Sequence, residues 1–319
     1  MKKYKKGIII YWIILVVLYL SISTLFFGCS NIEKSSNLSE NGKIIVYTSF
    51  YPMYDMAKKI GGDRIELRIL IPSSSEPHEW EPGPQDISTL EKADVFIYNG
   101  AGMEPWAESI LNTLKNNRMV IVDTSKEIDL LESAAEHSHN GDKDDEYYDP
   151  HVWLSPQNAK KQMEAIKEAF IEADTKNKEY YEENFLNYSK KMDELDDTYR
   201  KAISEFSRKN LVVTHGAFGY LCHAYGLNQV AVDGLSIDSE PSPGKMAEIV
   251  NFIRENDVKV IFYEENSNTK VAEAIAREAG IKIMPLNTLG RLSEKDINEG
   301  KEYFSIMMEN LKSLEAALK

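Results

Sequence analysis

The chain has 319 residues, 51 acidic against 37 basic side chains for a formal net charge of −14, and only two cysteines. A surface this acidic, with no lysine-rich patch, excludes a nucleic-acid partner. Two cysteines exclude a disulfide framework and a multi-thiolate metal site.

The opening MKKYKKG carries four lysines and no acid, and an apolar run follows from Ile8 to Phe27. A basic start, an apolar stretch and a small residue before a break form an export signal. Cys29 stands directly after Gly28, which predicts a lipoprotein: residues 1–28 are a signal peptide, and Cys29 is acylated and held by membrane lipid. The spacing is imperfect, because Phe26 holds the place where such signals usually carry leucine and Leu25 lies one further back. An uncleaved anchor helix is the alternative, since about 20 apolar residues span a bilayer. Either way the rest of the chain is expected outside the cytoplasm, and the lipoprotein reading adopted here places it lipid-anchored on the extracellular face of a Gram-positive cell membrane. Residues 29–42 are polar and read as a flexible tether.

Eight β-rich runs come next: IIVYTS (44–49), LRILIP (67–72), VFIYNG (95–100), MVIVD (119–123), LVVTH (211–215), QVAVDG (229–234), VIFYEE (260–265) and IKIMPL (281–286). Amphipathic helical stretches such as MAEIVNFIRENDV and KVAEAIAREAG separate them. Apolar strands alternating with helices predict parallel sheets covered on both faces. The expected fold is α/β, with two lobes (43–174 and 209–319), each a four-stranded, mainly parallel sheet. Between them Tyr181, Phe185, Tyr188, Met192, Leu195, Tyr199, Ala202 and Phe206 step by fours and threes. That stripe predicts a helix over 175–208, about 45 Å long at 30 residues. A coiled-coil partner is one reading of it. A single stiff helix lying across both lobes of a monomer is the reading adopted.

Three of the six histidines stand beyond the ends of strands: His78 in SSSEPHEWEPGPQD, His151 in YYDPHVWLSP after a long acidic loop, and His215 in VVTHGAFGYL. Open α/β sheets bind ligands at the carboxyl ends of their strands. Two lie in the first lobe and one in the second, so lobes that face one another bring all three to one cleft. A lone histidine is more often a surface or packed residue. Three at equivalent strand ends, two of them stiffened by a preceding proline, point to a metal site. Imidazole suits Zn²⁺, Cu²⁺, Ni²⁺ and Fe²⁺ better than Mg²⁺ or Ca²⁺. Three nitrogens leave one tetrahedral position open.

The motifs PHEWEPGPQD, ADVFIYNGAGMEPW, DPHVWLSPQNA, THGAFGYLCHAYGL, GLSIDSEPSPGKMAEI and VKVIFYEEN, in this order, resemble the solute-binding lipoproteins of ABC uptake transporters for zinc and manganese, zinc-type branch. The resemblance runs from about Lys43 to the C-terminus. It implies two lobes joined by a long helix, an ion held between them, and delivery to an ABC permease. Its three histidine ligands match His78, His151 and His215. Three nitrogens favour Zn²⁺ over the Mn²⁺ or iron of other members. Zinc-type relatives carry a carboxylate in a segment like LNTLEGLS, whereas LNTLGRLS here has Gly290 in that place. The fourth ligand is then water or a nearby carboxylate. Glu264 and Glu265 at a strand end are the candidates, with a hydrogen-bonding role outside the coordination shell as the plainer reading of both, and Glu76 is a weaker candidate. The acidic loop 132–149, with His137 and His139, matches a histidine-rich loop of such relatives, or is simply solvated. Cys222 and His223 read as structural. A zinc hydrolase is the competing function, since three histidines with an open position also describe catalytic zinc. No HExxH pair supports it, and no enzyme activity is expected. An adhesin role, known among relatives, finds no residue here for or against it.

Overall fold

A computed structural model describes residues 42–73, 75–132, 148–232, 241–265 and 268–319. The predicted signal peptide, Cys29, the tether up to residue 41, and His137 and His139 lie outside the described residues. The first lobe is built from β1 (Ile44–Thr48), α1 (Tyr51–Gly61), β2 (Ile65–Ile69), α2 (Pro84–Leu90), β3 (Val95–Tyr98), α3 (Ala107–Leu111) and β4 (Val120–Asp123). Two long helices follow, α4 (Pro156–Ala173) and α5 (Lys178–Ser204). The second lobe contains β5 (Asn210–Val213), α6 (Gly219–Tyr225), β6 (Asn228–Ala231), α7 (Pro243–Glu255), β7 (Val260–Glu264), α8 (Lys270–Ala279), β8 (Lys282–Leu286), α9 (Glu294–Asn298) and α10 (Tyr303–Leu318).

The two sheets have the same build. Their strand orders are β2-β1-β3-β4 and β6-β5-β7-β8, and every pairing is parallel. In each, the chain adds a strand on one side of the first and then crosses to the other side, which opens a crevice at the carboxyl ends of β1 and β3, and of β5 and β7. β2 starts and ends earlier than its apolar run predicts, because its register is set by β1, from Ile44↔Ile65 to Thr48↔Ile69.

Side-chain alternation along the strands divides the core. Ile44, Val46, Val95, Ile97, Leu211, Val213, Val260 and Phe262 face a single apolar core that runs through both lobes. Tyr47 and Phe96 face a separate cluster on the far side of the first sheet, and Val212 and Ile261 one on the far side of the second. The shared core is filled by α4, α5 and α10. Of the predicted stripe on α5, Tyr181, Met192, Leu195 and Tyr199 are buried in it, with Phe206 just past the helix end. Each such side chain contributes roughly 1.5–3 kcal/mol of burial. The helix is shorter than predicted: Thr175–Asn177 form a 3-10 turn, and α5 stops at Ser204, where the Lys209 ammonium donates to the Ile203 carbonyl. Cys222 is a buried free thiol on α6, but His223 on the same short helix is exposed, because α6 covers the core with its other face.

Polar contacts join the lobes near the site. The Trp153 indole donates to the Thr288 carbonyl at 2.7 Å, and the Tyr303 hydroxyl to the Trp153 carbonyl at 2.6 Å. Gly219 allows a close approach: a Cβ there would lie 2.3 Å from an Asp149 carboxylate oxygen.

Candidate metal centre

His215 stands two residues past β5, and Glu264 is the last residue of β7. Each lies two residues beyond the register pair Val213↔Phe262, and the Thr214 amide still bonds to the Phe262 carbonyl. Backbone pairing therefore places both side chains at the crevice of the second sheet. His215 Nδ1 meets Glu264 Oε2 at 2.9 Å, and the Thr288 hydroxyl donates to Glu264 Oε1 at 2.6 Å. A hydroxyl and an imidazole N–H thus occupy the two oxygens of this buried carboxylate.

His151 follows β4 at a distance and is held by side chains. The Asn99 amide, at the end of β3, donates to the Pro150 carbonyl at 2.8 Å, and its own oxygen accepts from Gln162 on α4 at 2.9 Å. Asp149 Oδ1 accepts from the backbone N–H of His151 at 2.9 Å and from its Nδ1 at 2.8 Å. His78 sits in a tight turn, where the Glu79 and Trp80 amides return to the Glu76 carbonyl.

These three elements bring the imidazoles together. Ring centroids lie 5.2 Å apart for His78 and His151, 4.9 Å for His151 and His215, and 6.3 Å for His78 and His215. The Nε2 atoms of His78 and His151 are 3.4 Å apart, and one ring nitrogen from each of the three histidines lies within 4.8 Å of the others. With Nδ1 of His151 and His215 donating to carboxylates, their Nε2 lone pairs are left for a ligand. The cavity they line holds about 10 Å³, the space of one water-sized body. Phe50, Pro77, Met103 and Trp153 make its apolar wall, and Glu76, Glu264, Gly290 and Arg291 reach it as well.

Burial keeps the imidazoles of His78 and His151 neutral. Burial, then the neighbouring His151 and His215, pulls His78 down to about 3. Burial, then His215, holds His151 well below its ordinary value. Burial also raises Asp149 to about 7, against the hydrogen bond from the His151 backbone. For Glu264 burial favours the neutral acid, but the hydrogen bonds from His215 and Thr288 outweigh it and its value falls.

The structure treats the two predicted glutamates differently. Glu264 borders the cavity, while Glu265 Oε2 accepts from the Asn287 amide at 2.9 Å and Glu265 is not among the cavity-lining residues. Gly290 borders the cavity with room to spare, since an added Cβ would meet only Thr288 Oγ1, at 3.4 Å. Asp149, Thr288, Arg291 and Asn99 were not singled out from sequence. For Asp149 a signal was present, an acid two residues before a histidine that follows proline.

Twin sheets joined by a long helix, with a one-ion cavity of imidazoles between their carboxyl ends, define a bilobed solute-binding protein. Residues 46–317 match the family described as "Zinc-uptake complex component A periplasmic". The chain is 42% identical over 296 residues, 91% of its own length and 93% of the relative's, to the high-affinity zinc uptake system protein ZnuA of Bacillus subtilis. It is 36% identical to the zinc-binding lipoprotein AdcA of Streptococcus pneumoniae, covering 93% of this chain but only 60% of that longer protein. The Zn(II)-bound ZnuA-like domain of AdcA superposes with a TM-score of 0.76 at 35% identity, over 87% of this chain and 99% of the domain. The laminin-binding protein Lmb of Streptococcus agalactiae, described as having adhesin and metal transporting activity, superposes with a TM-score of 0.77 at 31% identity, over 86% of this chain and all of that one. The chain belongs to the zinc-uptake component A family, whose members are extracytoplasmic solute-binding proteins and not enzymes.

Proposed function

We propose that this protein captures Zn²⁺ through Nε2 of His78, His151 and His215 and hands it to an ABC permease. The observation that carries this reading is the convergence of three imidazoles on a cavity of one-ion size. The ion bridges lobes 43–174 and 209–319, across the helical segment 175–208, because the first supplies two ligands and the second one. Asp149 and Glu264 fix the tautomers of His151 and His215 and raise their basicity, as carboxylates behind zinc-bound imidazoles do. Three nitrogen donors favour Zn²⁺ over Mn²⁺. Opening of the lobes separates His215 from the other two and releases the ion. Export by residues 1–28, a tether over 29–42 and a lipid anchor at Cys29 keep the monomeric protein beside its permease on the outer face of the cell membrane. The adhesin activity belongs to the description of Lmb, and no residue here carries it over.

Calorimetry on metal-free protein should show one tightly held Zn²⁺ per chain and preference for Zn²⁺ over Mn²⁺. His151→Ala should weaken zinc binding by more than about 100-fold, since even partners behind a ligand are worth 10–100-fold. Wild-type affinity in that variant removes the site.

A further inference from the structure

Two further charged residues line the cavity wall. Glu76 lies in the turn that carries His78, and Arg291 in the loop after β8, next to Gly290. They therefore come from different lobes. Arg291 Nε and Glu76 Oε2 are 3.3 Å apart, with the side chains 21% and 12% exposed. Both atoms are closed off from solvent, and neither has a hydrogen-bond partner among the described residues. The pair has proximity and opposite charge without hydrogen-bond alignment. A half-satisfied buried pair of this kind is held weakly for its desolvation cost.

The other carboxylate on the wall is committed. Both Glu264 oxygens hold strong bonds, to His215 and Thr288, and a ligand role for them would release the tautomer of His215. Glu76 Oε2 is the carboxylate oxygen at the cavity that an arriving cation can take without breaking a hydrogen bond. Gly290 offers no donor. Arg291 meanwhile places a fixed positive charge beside the position of a divalent ion, and in a low-dielectric cavity the two repel unless a carboxylate stands with them.

We propose that Glu76 is an exchangeable carboxylate: without an ion it pairs with Arg291 across the lobes, and when Zn²⁺ enters, Oε2 leaves Arg291 and completes a shell of three nitrogens and one oxygen. Arg291 then competes with zinc for Glu76 and sets the affinity of the site. The exchange moves no proton. The proposal rests on the three-histidine reading.

The test compares wild type, Glu76→Gln, Arg291→Gln, the double variant and His151→Ala. Zinc affinity is measured by competition with a chromophoric chelator, and Co²⁺ serves as a spectroscopic probe of the ligand set. Glu76→Gln should lose on the order of tenfold or more in affinity and change the Co²⁺ visible bands. Arg291→Gln should bind several-fold more tightly, because the competitor is gone, and the double variant should fall back to the level of Glu76→Gln. A weaker or unchanged Arg291→Gln, or wild-type affinity and Co²⁺ bands in Glu76→Gln, overturns the exchange. If His151→Ala loses zinc while Glu76→Gln does not, the exchange alone has failed. If His151→Ala keeps zinc, the three-histidine site has failed and the exchange with it. Circular dichroism and melting of each metal-free variant separate a binding defect from a folding defect.

Discussion

The two lobes share a strand order and use it differently. In the second, His215 and Glu264 extend directly from neighbouring, hydrogen-bonded strands at the sheet's crevice, so the backbone ladder positions both imidazole and carboxylate. In the first, His78 and His151 stand on loops after the outer strands β2 and β4, where no ladder reaches. Side chains do that work instead: Asn99 on Pro150, Asp149 on His151, and Trp153 reaching across to Thr288. One arm of the site is thus made by sheet pairing and the other by a polar network. The first rests on the ladder, with Thr288 behind its carboxylate, whereas the second depends on a wider set of side chains.

The largest expected effect outside the ligands is at Glu264. Glu264→Gln should lower zinc affinity roughly 10–100-fold by disturbing the His215 tautomer, read by calorimetry, with His215 still held by its strand. An unchanged affinity would mean that the ladder alone prepares this arm. Asn99→Ala comes next. It leaves the Pro150 carbonyl and Gln162 short of partners, so the metal-free protein should lose about 1–3 kcal/mol in urea unfolding. Zinc binding should weaken by several-fold as His151 loses its support. Loss of stability with full affinity would show that the network holds the fold but not the site.

The smallest effect is on pH dependence. His78, at about 3, and His151, well below its ordinary value, refuse protons that the unfolded chain accepts near 6.5. The unfolded chain then binds more protons, so metal-free stability falls as pH drops below about 6.5. Asp149 acts in the opposite sense: folded, it keeps its proton up to about 7, while unfolded it releases it near 3.9. Glu104, raised to about 7 by burial, acts in the same sense as Asp149, so the contribution of the imidazoles is read from a difference between variants. As pH falls from 7 to 4.5, the melting temperature of metal-free His151→Gln should gain on that of wild type, because the variant has no imidazole to leave unprotonated. No gain toward acid would contradict a buried neutral His151.

Much of this was legible in the amino-acid sequence. Apolar runs between amphipathic stretches determined eight parallel strands in two sheets, and the fours-and-threes stripe from Tyr181 to Phe206 determined the long helix, because burial on a periodic element leaves a periodic trace. The three histidines could be picked out because each follows a strand, and strand ends are where such sheets bind. Tertiary structure alone decided the rest. Glu264 and Glu265 are adjacent, yet one backs His215 and the other holds Asn287, since successive side chains leave a strand on opposite faces and only the pairing register says which face meets the cleft. The end of β2 depended on β1, and the partnership of Glu76 with Arg291, 215 positions apart in the chain, depended on how the lobes meet. Local pattern records what a residue buries, but contacts between distant segments are set by packing, which no short stretch of sequence contains.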